Sequence, residues 1–353
     1  MAIATPHHPT PKDVVLPALE DVTMREDLQD VAKKLGEIRV WLRDDLESLE
    51  TALQSVSMGA DLAERSAAYL LGHPGKRIRP LCVMLAARVG DTSHSTAVRD
   101  LAVACELVHT ATLLHDDVID EGTERRGQST ARMVYGNTAS VLGGDHLLVE
   151  ALKRVHAAGH VELMTSMLGV ISSMVKAEAI QLEHRGDFVP DPARYFAVVN
   201  GKTASLFHWA MEAGARAAGT SAAEREALAE AGRLLGVAFQ LIDDTLDLAG
   251  DANVIGKDLW VDLREGKLTW PLIVACERDP ELTEAISQVV QDPESHGLNF
   301  LAKRICATGC VDATRQKARE VAEEAGRHLS VLPPSPVRDA LNAVVKSAIS
   351  RAK

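Results

Sequence analysis

The chain has 353 residues, 46% of them hydrophobic but only 3% aromatic, a composition that suits closely packed helices and speaks against a β-sandwich. Its formal net charge of −12 excludes a nucleic-acid partner, because gripping a phosphate backbone needs a basic surface. Five cysteines, Cys82, Cys105, Cys276, Cys306 and Cys310, form no C-x-x-C pair and are expected to be reduced core residues of a cytoplasmic protein. No basic leader precedes an apolar stretch, and no apolar run is long enough to span a bilayer, so neither a signal peptide nor stable membrane insertion is expected.

Residues 1–22 carry Pro6, Pro9, Pro11 and Pro17 with little apolar content, which predicts a disordered or loosely attached arm. From Met24 to Val56, leucine, valine and isoleucine recur at intervals of three and four, the pattern of an amphipathic helix or helix pair. Asp61 to Leu71 reads as a further helix, stopped by Gly72, Pro74 and Gly75. The apolar segment after Pro80 reads as a buried one. Thr96 to Asp120 forms a central helix, and 138–158 a helix whose paired glycines mark a close helix approach. A long helix follows over 160–184, with Pro190 and Pro192 in the loop beyond it. Arg194 to Ala218 and Ala222 to Leu248 are two more helices, and Gly250 to Gly266 a charged, glycine-rich loop. The shorter helices Thr269–Cys276, Glu281–Val290 and Gly297–Ala307 precede Val311–Ser330 and Pro336–Ser350. No β-alternation is present, so the fold class is all-α: a helical bundle around a central cavity.

Two stretches carry the chemistry. Asp116, Asp117 and Asp120 close the central helix as D-D-x-x-D, and Asp243, Asp244 and Asp247 repeat the arrangement at the end of a second apolar helix. Like charges packed at helical spacing repel, so a bound hard cation explains them better than chance; Mg²⁺ takes one or two carboxylates plus phosphate oxygens. Two such helix ends are useful together only if they share one cavity, which makes 23–353 a single domain. Dense cationic signals accompany them: G-K-R-I-R-P at 75–80, Arg125-Arg126-Gly127, Gly201-Lys202-Thr203, Gly256-Lys257-Asp258 and D-L-R-E-G-K-L-T-W-P-L from 262.

In this order the set resembles the trans-polyprenyl diphosphate synthases, and most closely their medium- to long-chain branch, whose first motif reads H-x-A-T-L-L-H-D-D-V-x-D. Pro74 and Trp260 stand where that family usually has glycine, which allows left-handed backbone that proline and tryptophan do not readily adopt. The resemblance implies an isoprenoid synthase fold and the head-to-tail addition of isopentenyl diphosphate to an allylic diphosphate. It implies Mg²⁺, three ions in the family's scheme, with Mn²⁺ as a substitute, held by Asp116, Asp117, Asp120, Asp243, Asp244 and Asp247. Asp116, Asp120 and Asp243 would bind metal most directly. Arg125, Lys202, Gln240 and Lys257, with Lys267, would surround the allylic diphosphate, and Thr203 with Gln181 would line the cavity near the carbocation. Lys76, Arg79, His109 and Arg126 would hold the acceptor diphosphate, since forked arginines suit phosphate oxygens. The proton lost after condensation would go to the released diphosphate, so no protein base is nominated. A homodimer is expected, with at most transient membrane contact for product release.

Below Asp116 on the same face stand Thr112, Val108, Cys105 and Ala104, with Ala111 beside them. In this family bulky residues at the places held here by Ala111 and Thr112 close the pocket. Their absence predicts a product of at least about twenty carbons, roughly thirty to fifty, since each further buried CH₂ gains about 0.8 kcal/mol. Two rivals are a class I terpene cyclase, which lacks a second D-D-x-x-D, and a non-catalytic subunit of a heteromeric synthase, which loses the acidic motifs.

Overall fold

A computed structural model describes residues 29–56, 59–73, 75–90, 95–125, 127–249, 260–291 and 298–350. The expected arm over 1–22, and Pro74, Arg126, Asp251, Lys257 and Asp258, lie outside the described residues. Among the described residues the all-α expectation holds apart from one hairpin, β1 (Glu124–Arg125) antiparallel to β2 (Gln128–Ser129), whose two-residue strands are too short to leave an alternating pattern. By its internal contacts the chain clusters into two compact units, Met1–Met84 with Ser93–Gly159 and Leu85–Thr92 with His160–Lys353.

In the first unit the amphipathic stretch is a pair of helices, α1 (Gln29–Trp41) and α2 (Arg43–Val56), followed by α3 (Leu62–Leu71) and the first turns of α4 (Ile78–Ala87). The central helix α5 (Thr96–Ile119) begins where the Ser95 hydroxyl accepts from the Val98 amide at 3.0 Å, satisfying one of the donors a helix start leaves open. From Leu101 to Val108 every side chain of α5 is buried. Burying each leucine or valine contributes about 1.5–3 kcal/mol, so α5 is held by packing all round. After α6 (Ala131–Tyr135), α7 (Asn137–Ala157) packs along α5 and α3. The glycine pair permits this: a Cβ on Gly143 would stand 3.1 Å from Ser66, and one on Gly144 would stand 2.2 Å from the His115 ring. His115 Nε2 lies 3.1 Å from the Val141 carbonyl, a structural role.

The second unit runs from α8 (Val161–Glu183) to α9 (Pro192–Val199), a π-helical turn (Asn200–Ala204), α10 (Ser205–Ala217) and α11 (Ala222–Ala249). A continuous helix over Arg194–Ala218 is corrected here in two ways. Pro192 belongs to the first turn of α9 rather than to the loop, with the Asp191 carboxylate accepting from the Arg194 amide at 2.9 Å, because proline lacks only an N–H that would be orphaned there anyway. The π turn then separates α9 from α10. α11 packs on α10, on the π turn and on α16 (Cys310–Leu329); Gly232 and Gly236 allow it, since a Cβ there would stand 2.5 Å from the Phe207 carbonyl oxygen and 2.6 Å from Ala204 Cα. The end of α11 joins α12 (Val261–Arg264), α13 (Trp270–Arg278), α14 (Glu281–Gln291) and α15 (Leu298–Ala307) in a core that includes Leu248, Leu263, Leu272, Ile286 and Ile305. α17 (Pro336–Ser350) packs on α16 and α11. Four of the five cysteines are buried and all are free, but Cys306 is exposed, against the expectation of a core residue, because it lies on the solvent side of α15.

Candidate active site

Each D-D-x-x-D motif closes a long helix, and in each the second aspartate is the buried one. In the first unit Asp117 is 2% exposed, and the Arg125 guanidinium, brought back by the hairpin, donates to Asp117 Oδ1 from Nε at 3.0 Å and from Nη2 at 2.8 Å. Burial pushes the Asp117 carboxyl up and Arg125 pulls it back. Its other oxygen, Oδ2, is buried with no hydrogen-bond partner among the described residues, a costly state for an anion. Asp116 and Asp120 stand half-buried on either side. His109 is half-buried on the same helix, one turn beyond Cys105. Cys105 is a thiol pushed up by burial and pulled back chiefly by the Arg79 charge. Arg79 stands half-buried in the first turn of α4, and Lys76 precedes it in the segment leading into α4. Ala111 and Val108 are fully buried, while the Thr112 hydroxyl turns back to donate to the His109 carbonyl at 2.8 Å.

In the second unit Asp244 is 3% exposed and saturated by donors. The Tyr195 hydroxyl reaches Oδ2 at 2.6 Å, the Gln240 amide reaches Oδ1 at 2.9 Å, and the Trp270 backbone amide reaches Oδ2 at 3.3 Å. Burial, reinforced by the nearby Asp262, still pushes its pKa up to about 7. Thr203 extends the chain by donating to Gln240 Oε1 at 2.9 Å. Asp247 accepts the amides of Val261 at 3.1 Å and Asp262 at 3.2 Å, so this third aspartate starts α12. Trp260 adopts a left-handed backbone at φ 67°, and its amide donates to the Asp247 carbonyl at 2.9 Å. Asp243 is half-buried beside them.

Lys202 projects from the π turn, a distortion common at functional sites, and donates to Glu178 and, at 3.2 Å, to Gln181 on α8. Gly201 lets the turn come this close: a Cβ there would stand 2.8 Å from both Ala177 Cβ and the Ser173 carbonyl oxygen. Lys267 pairs with Glu265 at 2.6 Å. Tyr195 was missed by sequence reasoning, because its partner Asp244 lies 49 residues away and no local pattern links the two. Arg126 and Lys257 lie outside the described residues.

These residues fit a divalent cation that shares its coordination with a ligand. Among the described residues no three His, Cys, Asp or Glu side chains converge into a closed cage. Mg²⁺ bound with a diphosphate needs only one or two carboxylates, and the orphaned Asp117 Oδ2 is a donor of the right kind.

Residues 60–300 match the Polyprenyl synthetase family. The chain is 35% identical over 320 residues to the octaprenyl diphosphate synthase of Escherichia coli (strain K12), covering 90% of this chain and 99% of that protein. It is 33% identical over 327 residues to the all-trans-nonaprenyl-diphosphate synthase (geranyl-diphosphate specific) of Rhodobacter capsulatus, covering 92% and 97%. Among solved structures, a polyprenyl synthase from Caulobacter crescentus CB15 complexed with calcium and isoprenyl diphosphate superposes with a TM-score of 0.84 at 32% identity, covering 90% of this chain and 97% of that one.

Asp244 predicts a pH dependence. Its folded pKa lies near 7 and its unfolded pKa near 4, so between those values the folded state holds a proton that the unfolded chain has released, and stability falls as pH rises. In metal-free buffer, wild type should lose stability relative to Asp244→Asn as pH goes from about 4 to about 7, on the order of 1 kcal/mol per pH unit. Chemical denaturation of both proteins across that range checks it, and parallel curves would contradict the buried-carboxylate account.

Proposed function

We propose that this chain, which belongs to the polyprenyl synthetase family, joins isopentenyl diphosphate head-to-tail to an allylic diphosphate and repeats the step, with 23–353 acting as one catalytic domain. It is a prenyltransferase, a trans-polyprenyl diphosphate synthase of the medium- to long-chain kind. The observation that carries the reading is the shared build of the two motifs: Asp117 and Asp244 are buried and tied to protein donors, while Asp116, Asp120 and Asp243 stand half-buried at their helix ends. A non-catalytic subunit would have no use for either arrangement.

Asp116, Asp120 and Asp243 would ligate Mg²⁺ most directly, with the neighbouring Asp117, Asp244 and Asp247 completing the set. Mg²⁺, or Mn²⁺ in its place, would supply electrostatic stabilisation of the charge that develops on the leaving diphosphate. Lys202 and Arg125, now neutralised by Glu178 and by Asp117, can turn their charges to the allylic diphosphate, with Lys257, Lys267 and Gln240 beside them. Thr203 and Gln240 form part of the hydrogen-bonded wall that fixes Asp244. Lys76, Arg79, His109 and Arg126 bind the acceptor diphosphate without metal, and the released diphosphate takes the proton.

The chain-length reading rests on the buried methyl-sized lining at Ala111 and Val108 and on Thr112, whose hydroxyl is already satisfied. A homodimer is supported by α8, where Val161, Leu168, Val175 and Leu182, every seventh residue, are all at least 40% exposed. Against the expectation that no stretch is long enough to span a bilayer, α8 is long and apolar enough to do so by length and composition alone; a second copy of the chain is the cover we propose for its stripe. The enzyme would work in the cytoplasm, handing its product to a membrane.

Asp243→Ala, like Asp116→Ala, should lower turnover by about a hundredfold or more, several kcal/mol of transition-state stabilisation, in a radiolabelled isopentenyl diphosphate assay; near-wild-type rates would reject the role of that cluster. Product analysis should find chains of at least about twenty carbons in wild type and shorter ones from Ala111→Phe, because the ring fills the space left for further buried CH₂ groups. Equal lengths from both proteins would count against the tunnel. Leu168→Glu combined with Val175→Glu should convert a dimer to monomer in sedimentation velocity, and an unchanged species would assign the α8 stripe to another role.

A further inference from the structure

Between Lys76 and Arg79, the residues proposed to bind the acceptor diphosphate, stands an arginine buried among carboxylates. Arg77 has only 5% of its side chain exposed. Its Nε donates to Glu50 Oε1 on α2 at 2.9 Å, its Nη1 to Glu106 Oε1 on α5 at 2.6 Å, and its Nη2 to the Leu71 carbonyl at 3.4 Å. Both carboxylates are themselves largely buried, Glu50 at 13% and Glu106 at 7% side-chain exposure. Burial works against the Arg77 charge, but Glu106 and Glu50 outweigh it and hold the guanidinium protonated.

The backbone of Arg77 is as unusual as its side chain. It has φ 48°, a left-handed conformation that a residue with a Cβ adopts only when its surroundings impose it. Its carbonyl accepts the first hydrogen bond of α4, from the Leu81 amide at 3.0 Å, so it occupies the capping position, where an extended residue is the rule. This one residue therefore sets the direction in which Lys76 approaches α4 and the angle at which the first turn of α4, with Arg79, departs. Glu106, which anchors it, lies three residues before His109 on α5, nearly one turn away on the same side.

We propose that Arg77, clamped by Glu50 and Glu106, is a positioning residue for the acceptor diphosphate: it imposes the left-handed turn that presents Lys76 and Arg79 together, and it ties that turn to the helix that carries His109. The ion triad touches no substrate and acts through the two cations that flank it. A merely structural ion bridge would lower stability and affect both substrates alike. A positioning bridge affects the acceptor selectively, because a small misplacement of two phosphate-binding cations is enough to weaken binding severalfold.

The inference rests on the reading of Lys76 and Arg79 as acceptor-binding residues, and the experiment keeps the two apart. Steady-state kinetics with each substrate varied in turn are compared for wild type, Arg77→Ala, Arg77→Lys, Glu50→Gln and Arg79→Ala, with thermal unfolding of each protein alongside. Arg77→Ala should raise KM for isopentenyl diphosphate by about tenfold relative to KM for the allylic primer. Arg77→Lys, which keeps the charge but loses the fork, should recover part of that. Glu50→Gln leaves the Glu106 arm in place and should shift the same ratio in the same direction while unfolding close to wild type. If Arg77→Ala does not fold, Glu50→Gln decides. Equal effects on both substrates, or none, in folded variants overturn the proposal while Arg79→Ala remains selective for the acceptor. If Arg79→Ala is itself not selective, the acceptor assignment fails and the inference fails with it.

Discussion

A carboxylate taken out of water has to be met by donors or neutralised, and the local architecture around both aspartate motifs follows from that constraint. Asp244 is held by a tyrosine hydroxyl, a glutamine amide and a backbone amide contributed by α9, α11 and the start of α13. Each donor fixes an element in turn. Tyr195 packs against Phe196 and Trp270, so the aromatic cluster and the buried anion stabilise the same corner, and Gln240 carries the network on to Thr203 in the π turn. Asp117 is met instead by one arginine delivered on a two-stranded hairpin. The hairpin is small, but without it the buried anion would stand unpaired at a cost of several kcal/mol.

The same constraint governs the cations. Lys202, Arg77 and Lys267 each face a carboxylate within their own unit, and what separates them is burial. Arg77 is sealed between two helices and serves the fold of its loop. Lys202 keeps a quarter of its side chain exposed, so its charge can be redirected when an anionic ligand arrives, which is the property expected of a group that meets substrate and not only protein.

Close backbone approach is the second device. Gly201 lets the π turn touch α8, and Gly236 lets α11 touch Ala204 at the end of that turn. The turn that carries Lys202 is thus gripped from both sides by contacts that a Cβ would block. Trp260 shows the opposite solution: a left-handed position held by a large residue, which its contact with the apolar core of the second unit and its amide bond to Asp247 stabilise. Such positions cost about 1–3 kcal/mol and persist only where the surroundings over-determine them.

Much of this was legible in the sequence, because helical periodicity and charge spacing are local properties. The two D-D-x-x-D clusters, the all-α class, the small side chains at Ala111 and Thr112 and the meaning of the Gly143–Gly144 pair all follow from residues within a few turns of each other. What only the tertiary structure decided is which charges meet. Nothing local says that Tyr195 reaches across 49 residues to Asp244, that Lys202 reaches back 24 to Glu178, or that Arg77 turns inward to Glu50 and Glu106. Those pairings depend on the direction of a side chain and on the sign of one φ angle. Both are settled by the energy of burying a charge among neighbours that the chain meets only when it is folded.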